Sequence, residues 1–431
     1  MQRPHTAARP PRRAPSLPCA ALLCLGALAA AGAPAEATAV EACAPAGSGE
    51  PLQVALVTSS SGALIFNSMG HTALWFSGGP LQESEVYNWG AYDGMRADLG
   101  PAFLRGEMNF WLADEVWPVQ WRRNVRQQRS VVVQRLDVPE DAALALLEEL
   151  QVTVRPENRE YRYHWATANC ATRARDAIDR LIGGQLAAAL AHPVPQTARF
   201  EGARHLSRHP AVAFAWDFMA GPYVDQPLSA YALGMVPERL MDLVQPVQWT
   251  DADGRVRPLV VERCTLREGE YSWARPTPLP TWPVALLTAL GAALMVGLGE
   301  RGRSSKAARR VAGLMLSIWG LGAGLLGLVT FVLWAISELD GVGPTASWSV
   351  ANPLTLALVA AGVQLWRGAA GGRTLGAITA LLAGIGLAGL ALSPLIPQDY
   401  LHMVAVFLPP LLGAAVLWRA AWRSPADPGP R

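Results

Sequence analysis

Cys170 and His71 are the residues whose types and settings could perform nucleophilic chemistry. Cys170 follows Asn169 at the start of an amphipathic pattern, which predicts a position at a helix N-terminus. His71 follows Gly70 and opens the apolar stretch 72–76, which predicts a strand. A helix start favours the thiolate form of cysteine, and an imidazole can act as its base. Amides at the helix start, or Asn169, would then stabilise an oxyanion.

A base of this kind needs a polar partner on its second ring nitrogen. Asn88, on the next predicted strand, is the candidate partner, and Tyr87 and Asp93 are the alternatives. His164 is an alternative base because it lies six residues before the cysteine. We favour His71, since a strand start is rigid and the preceding glycine leaves room for a helix or a substrate.

Around these residues the sequence predicts a domain of mixed α and β structure over residues 45–270. Alternating apolar residues predict strands at 53–58, 72–76, 85–92 and 130–136. One helix is predicted from Pro139 to Glu149, with Asp137 as its cap, and a second from Cys170 to Leu181.

The N-terminus has the layout of a secretory signal. Arginines precede an apolar stretch at 19–31, and small residues follow it. We predict a signal peptide at 1–38, with an uncleaved anchor as the alternative. In either case the domain that follows is exported.

The cysteine count suggests which thiol is free. Cys19 and Cys24 fall within the predicted signal, which leaves three cysteines in an oxidising compartment. Cys43 and Cys264 flank the exported domain, so a disulfide between them would leave Cys170 unpaired. The alternative is that these cysteines are partly buried, unpaired thiols.

From residue 280 onward the chain is typical of a membrane protein, and the whole sequence is 51% hydrophobic and 16% charged. Five apolar stretches lie at 281–299, 311–337, 347–366, 375–396 and 401–418, each near the roughly 20 residues that cross a bilayer. Basic connections alternate with neutral or acidic ones, which predicts an exported N-terminal domain and a cytoplasmic tail at 421–431. We therefore predict a five-span bundle at 280–420 in the bacterial inner membrane.

No Asp, Glu, Lys or Arg lies within these stretches, and only His402 is ionisable, which argues for an anchor or a lipid-facing platform rather than a proton-coupled transporter.

His205 and His209 have a spacing that can bind metal, but Pro210 follows at once and no zincin carboxylate is present. We predict no metal, no cofactor and no nucleic-acid partner.

Several motifs occur together in the order of a known family. They are Gly70-His71-Thr72-Ala73-Leu74, Tyr87-Asn88-Trp89-Gly90-Ala91-Tyr92-Asp93, Phe103-Leu104-Arg105-Gly106, Pro156-Glu157-Asn158-Arg159 and Asn169-Cys170-Ala171-Thr172-Arg173. With them the chain resembles the Lnb-type lipoprotein N-acyltransferases over residues 50–260. Asn352-Pro353-Leu354 is similar to the family's NPL motif, whereas Ala168 stands where the family has Asp.

The resemblance implies an α+β, circularly permuted papain-like (NlpC-like) domain followed by an all-α five-span bundle. It further implies that Cys170 takes an acyl chain from a phospholipid as a thioester, with His71 as the base. The acceptor would be the N-terminal amine of a diacylated lipoprotein. A periplasmic thiol hydrolase is the alternative enzyme, and a membrane scaffold or sensor is the non-enzymatic alternative.

Overall fold

A computed structural model describes residues 45–94, 97–271, 273–368 and 373–422. The predicted signal at 1–38, Cys43 and the last nine residues of the tail lie outside the described residues.

An antiparallel sheet organises the N-terminal domain. Within the described residues seven strands form it, in the order β11-β5-β1-β2-β3-β4-β6. The strands of the chain are β1 (Gln53–Ser59), β2 (His71–Ser77), β3 (Glu85–Ala91), β4 (Asn109–Val116), β5 (Val131–Leu136), β6 (Glu160–Arg162), β7 (Pro193–Val194), β8 (Leu228–Ser229), β9 (Gln248–Thr250), β10 (Val256–Pro258) and β11 (Val260–Arg267). The predicted strands at 53–58, 72–76, 85–92 and 130–136 are confirmed as β1, β2, β3 and β5.

Helices pack on both faces of this sheet. They are α1 (Leu99–Arg105), α2 (Trp117–Arg126), α3 (Glu140–Thr153), α4 (Cys170–Leu181), α5 (Gln185–Ala189), α6 (Ala198–His205), α7 (Pro210–Met219), α8 (Ala230–Leu233) and α9 (Pro237–Val244). The two predicted helices are present as α3 and α4. The expected cap of α3 is wrong, because Asp137 forms an ion pair with Arg257 at 2.7 Å and caps nothing.

Strand alternation divides the core between the two faces of the sheet. Leu74 and Phe76 of β2 pack on one face with Ile178 of α4. Ala73 and Trp75 pack on the other face, where Trp75 stacks on Trp117 of α2 with ring centroids 4.1 Å apart. The helix that carries Cys170 and the helix α2 therefore lie on opposite faces.

Apolar helices form the C-terminal part. Five segments among the described residues are long and apolar enough to cross a membrane. They contain α10 (Trp282–Arg301), α11 (Lys306–Ile336), α12 (Ala357–Arg367), α13 (Arg373–Leu392) and α14 (Leu401–Trp422). The third segment begins with two 3-10 turns, Ala346–Ser349 and Pro353–Leu356, before α12.

Glycines allow α11 and the third segment to approach each other closely. A Cβ atom on Gly313 would lie 2.5 Å from the Gly362 carbonyl oxygen, and one on Gly327 would lie 2.5 Å from the Asn352 Cα atom. Asn352 of the NPL motif also caps its own turn through the Leu354 amide at 3.0 Å. The motif therefore shapes the backbone at this crossing.

Candidate active site

Cys170 lies where two central strands separate. Strands β2 and β3 pair from Leu74 opposite Tyr87 to Phe76 opposite Glu85, so the start of β2 lies beyond this pairing. On β3 the register shifts at Gly90, whose φ of +96° is a glycine conformation. A Cβ atom on Gly90 would lie only 3.8 Å from the Cys170 Cβ atom. The thiol therefore lies at a split in the sheet, between the start of β2 and Gly90 of β3.

A capping box fixes the helix start that carries the thiol. The Asn169 Oδ1 atom accepts the Thr172 amide at 2.9 Å, and the Thr172 hydroxyl accepts the Asn169 amide at 2.9 Å. The Asn169 Nδ2 atom donates to the carbonyls of Trp165 and Met235. All polar atoms of this side chain are thus engaged in the resting structure, and an oxyanion role for Asn169 stays a prediction.

Backbone amides surround the sulfur of Cys170. The amides of Thr72, Cys170 and Ala171 donate toward it and, with the nearby Arg129, lower its pKa. Burial acts more strongly in the opposite direction, so the pKa of the thiol is raised above its ordinary value. The sequence analysis expected a lowered pKa from the helix start, and desolvation overturns that expectation. The resting form is therefore a thiol, toward which three backbone amides point.

Hydrogen bonds determine which nitrogen of His71 carries the proton. The His71 Nε2 atom lies 2.9 Å from the Asn88 Oδ1 atom, while the Asn88 Nδ2 atom donates to Glu115 at 3.3 Å. A carboxylate can only accept, so the Asn88 amide oxygen must face the histidine. Nε2 is then the donor and Nδ1 keeps its lone pair. Burial raises the pKa of Glu115 above its ordinary value, and the ion pair with Arg123 and the hydrogen bond from Asn88 act against that shift.

Electrostatics keep His71 neutral. Burial lowers the pKa of His71 to about 4, and the positive charges of Arg129 and Arg123 also lower it. The hydrogen bond that His71 donates to Asn88 raises the pKa but is outweighed. Arg129 is itself buried and donates to the carbonyls of Ser60 at 2.6 Å and Ser59 at 3.2 Å. Since Ser59 pairs with His71 across β1 and β2, this arginine anchors the strand ends beside the imidazole. His71 is therefore neutral at neutral pH.

The alternative residues lie elsewhere. The Tyr87 hydroxyl donates to Glu85 at 2.6 Å and its ring belongs to the core on the α4 face, so strand alternation points it away from His71. Asp93 is exposed beyond the end of β3. His164 pairs with Asp340 of the membrane part at 3.2 Å, and its Nδ1 atom accepts two backbone amides. Asn88 is the candidate that bonds to the imidazole of His71.

Aromatic rings line the other side of the thiol. A Cβ atom on Gly90 would lie 3.9 Å from the Phe110 ring and 4.0 Å from the Tyr161 hydroxyl. Burial and the nearby Cys170 raise the pKa of Tyr161 and of Tyr163, so both phenols stay protonated. The buried Tyr161 hydroxyl has no hydrogen-bond partner of good geometry among the described residues. It is therefore a polar group close to the Cys170 side chain that is available to a ligand.

Sequence reasoning missed three residues of the site, namely Arg129, Glu115 and Tyr161. Glu115 lies on the same face of β4 as Ala113, and the sequence analysis did not predict this strand. Tyr161 lies on β6, which pairs with β4 through Phe110. A prediction of β4 would have brought Glu115 to the face of Asn88, whereas Arg129 depends on tertiary contacts alone.

The cysteines differ in their bonding state. Among the described residues Cys170 is free, and Cys264 on β11 is disulfide-bonded. Its predicted partner, Cys43, lies outside the described residues, so the pairing of these two cysteines stays a prediction.

Comparison with known proteins identifies the domain that carries the site. Residues 48–200 match the family model described as the Lnb N-terminal periplasmic domain. They include His71, Asn88 and Cys170. No curated protein and no solved structure matches the chain. With its five apolar segments the chain is a multi-pass membrane protein with a periplasmic domain, and that domain, over residues 48–200, belongs to the Lnb-type family.

Proposed function

We propose that this protein is a lipoprotein N-acyltransferase that works through a thioester on Cys170. One observation carries the proposal: a free thiol at a helix start receives three backbone amides, one of them from Thr72, the residue next to a neutral His71 that Asn88 orients. The order of histidine before cysteine, typical of circularly permuted papain-like domains, supports the same chemistry. The Lnb-type domain supports lipoproteins as the substrate class.

In the first half-reaction the sulfur attacks the carbonyl carbon of a phospholipid ester. The thiol proton passes to Nδ1 of His71 as the carbon–sulfur bond forms. In the resting structure the amides of Thr72, Cys170 and Ala171 donate toward the sulfur. They bind the oxyanion when it forms on the carbon that the sulfur attacks. When the ester carbon–oxygen bond breaks, His71 returns the proton to the departing lysophospholipid.

In the second half-reaction the α-amine of a diacylglyceryl-cysteine lipoprotein attacks the thioester. His71 takes one amine proton, the carbon–nitrogen bond forms and the carbon–sulfur bond breaks. The proton then returns to the Cys170 sulfur, and the enzyme is regenerated without a cofactor. Both substrates are lipids, which suits a site attached to a membrane bundle.

Contacts between the two parts support a site close to the membrane surface. Glu338 and Asp340, in the connection after α11, pair with Arg162 and His164, and His164 is only six residues from Cys170. The end of α10, the start of α11 and the connection between them instead carry basic residues, Arg301, Lys306 and Arg303. By the positive-inside rule we propose that the exported domain rests on the outer surface of the inner membrane and the C-terminus is cytoplasmic.

The proposal is tested in a bacterial strain that makes only diacylated lipoproteins. Mass spectrometry of a lipoprotein N-terminus should show one added acyl chain when this chain is expressed. Cys170→Ala and Cys170→Ser should abolish the added mass, because no other free thiol lies in the described domain. Thr167→Ala is the matched control, since this residue is exposed and close to the site.

All four proteins must reach the membrane in equal amounts for the comparison. A triacylated lipoprotein in the Cys170→Ala strain would overturn the thioester route. Free fatty acid released by the wild-type protein without any lipoprotein acylation would instead indicate a thiol hydrolase, with water as the acceptor.

A further inference from the structure

An apolar turn stands out on the surface of the periplasmic domain. Leu64, Ile65 and Phe66 follow one another between β1 and β2, and their side chains are 66%, 47% and 46% exposed. Single exposed apolar residues are common, but three consecutive large ones form a contact surface. We refer to residues 64–66 as the apolar turn.

The base of this turn is firmly held, so the exposure is built into the fold. The Asn67 carbonyl accepts the amides of Gly62 at 2.9 Å and Gly70 at 3.2 Å. The Ser61 hydroxyl donates to the Ser68 carbonyl at 2.6 Å. A loop that is free to fold back could bury its apolar side chains, whereas this one is fixed with them outward.

The turn lies beside the outer end of a membrane-spanning helix. Phe66 contacts Phe103 of α1 edge to face, with ring centroids 5.6 Å apart. The carbonyls at the end of α1 then bond to the residues that follow α11, Leu104 to the Ser337 hydroxyl at 2.6 Å and Arg105 to the Glu338 amide at 2.9 Å. Helix α11 ends at Ile336, so α1 rests where the apolar span ends.

We propose that the apolar turn inserts into the outer leaflet of the bilayer that the helices of this chain span. The membrane is the favoured occupant because the exposed apolar side chains of α11, such as Phe331 and Ile336, continue from the span toward α1. Apolar side chains at such an interface lie just below the headgroups, at a depth of about 5–10 Å.

Aromatic contacts connect the turn to the thiol. Phe66 lies 6.2 Å from Tyr92, Tyr92 stacks on Phe110 at 5.2 Å, and Phe110 contacts Tyr163 at 4.3 Å. Phe110 flanks Gly90 together with Cys170. If the proposed acyl transfer holds, this row is the apolar side of the path that an ester takes from the leaflet to the sulfur. The membrane contact itself does not depend on that chemistry.

The test places an environment-sensitive fluorophore on the turn of the full chain in lipid nanodiscs. Ile65→Cys is labelled with NBD in a background that carries Cys19→Ala, Cys24→Ala and Cys170→Ala, since Cys264 is disulfide-bonded. Val256→Cys in the same background is the matched control, because Val256 is 65% exposed on β10, outside the apolar turn.

We expect the probe at position 65 to emit at shorter wavelength than the probe at 256. Lipids with a doxyl group near the headgroup should quench it more strongly than lipids with one near the chain end. Emission equal to that of the control, without doxyl quenching, would overturn the proposal. A blue shift without doxyl quenching would also overturn it, because the turn would then contact protein. Neither readout uses catalysis, so a failure here is distinct from a failure of the proposed function.

Discussion

At the scale of single residues, the orientation of one amide determines what His71 can do. Asn88 donates to Glu115 and must therefore present its oxygen to Nε2 of His71. This leaves the lone pair on Nδ1, the ring nitrogen not engaged by Asn88. Glu115 and Arg123 touch no reacting atom and are positioning residues.

Glu115→Gln should therefore lower kcat and leave KM unchanged. A glutamine can donate as well as accept, so Asn88 could turn and the wrong tautomer of His71 would be populated. The loss of a hydrogen bond to a charged group, about 1.5 kcal/mol, corresponds to roughly tenfold in rate. Acyl transfer kinetics with a fluorescent phospholipid would measure the effect.

Glu107→Gln is the control for this prediction, since Glu107 is exposed and paired with Arg105 away from the thiol. Equal rates for Glu115→Gln and the wild type would show that Asn88 does not need this carboxylate.

The pH dependence follows from two shifted groups. Burial lowers the pKa of His71 to about 4, so the neutral base is present above that pH and is lost as the pH falls through it. We expect kcat/KM to decrease on the acid side near pH 4. Burial also raises the pKa of Cys170, so its alkylation by iodoacetamide should keep increasing above the ordinary pKa of cysteine. An alkylation midpoint well below neutrality would mean a preformed thiolate and contradict this account.

The sequence alone could identify Cys170, His71 and Asn88 as candidate site residues, because helix starts and strand starts have local sequence signals. They could not predict Arg129 or Tyr161, whose roles depend on contacts distant in sequence. The net pKa of the thiol was also beyond prediction, since it depends on how deeply Cys170 enters the sheet.

At the scale of elements, the split between β2 and β3 brings the helix start into the sheet. Gly90 makes this possible through its φ of +96° and its missing side chain. Gly90→Ala should cost about 1–2 kcal/mol for the unfavourable backbone conformation. Gly90→Ala should also slow the alkylation of Cys170 at least about tenfold, because the added methyl group occupies space beside the Cys170 side chain. A tenfold change in rate corresponds to about 1.4 kcal/mol in the activation barrier.

Gly254→Ala is the matched control, since Gly254 has a φ of +80° and open space around it. It should lose similar stability in urea-induced unfolding and keep the full alkylation rate. Equal alkylation rates in both variants would contradict the position of the thiol in the split.

The elements that carry Cys170, His71 and Asn88 were predictable, because the sequences of β1, β2, β3 and α4 have clear apolar periods. Strand β4 was missed because Asp114 and Glu115 interrupt its apolar alternation. The helix cap at Asp137 was mispredicted because Arg257, far along the chain, competes for its carboxylate.

At the scale of the whole molecule, a buried ionic junction joins the periplasmic domain to the membrane bundle. Arg199 of α6 pairs with Asp217 at 2.9 Å and with Asp225 at 2.8 Å. Asp217 in turn lies 2.7 Å from His402 at the start of α14. Beside this junction Phe218 of α7 packs on Phe407 of α14, so the two parts share one core.

Arg199→Ala should lower the free energy of unfolding by about 3–5 kcal/mol, because it leaves Asp225 without its buried ionic partner and leaves Asp217 with His402 alone. Urea-induced unfolding in detergent micelles would measure the loss. Arg162→Ala is the control, since its pair with Glu338 joins the same two parts but is exposed and should contribute about 0–1 kcal/mol. Similar losses of unfolding free energy in Arg199→Ala and Arg162→Ala would contradict the view that the buried ionic junction stabilises the protein more than the exposed pair.

Hydropathy alone predicted the five spans, because a bilayer demands apolar length. It could not predict how the domain attaches, since the junction uses Arg199, Asp217 and His402 from three separate segments.

The most direct test of the account is the mass of the peptide that contains Cys170 after incubation of the purified protein with a phospholipid. The account predicts a gain of one acyl chain that neutral hydroxylamine removes and that His71→Ala strongly reduces. An unmodified Cys170 peptide in a preparation that is transferring acyl chains to lipoprotein, with the same rate in Cys170→Ala, would contradict it.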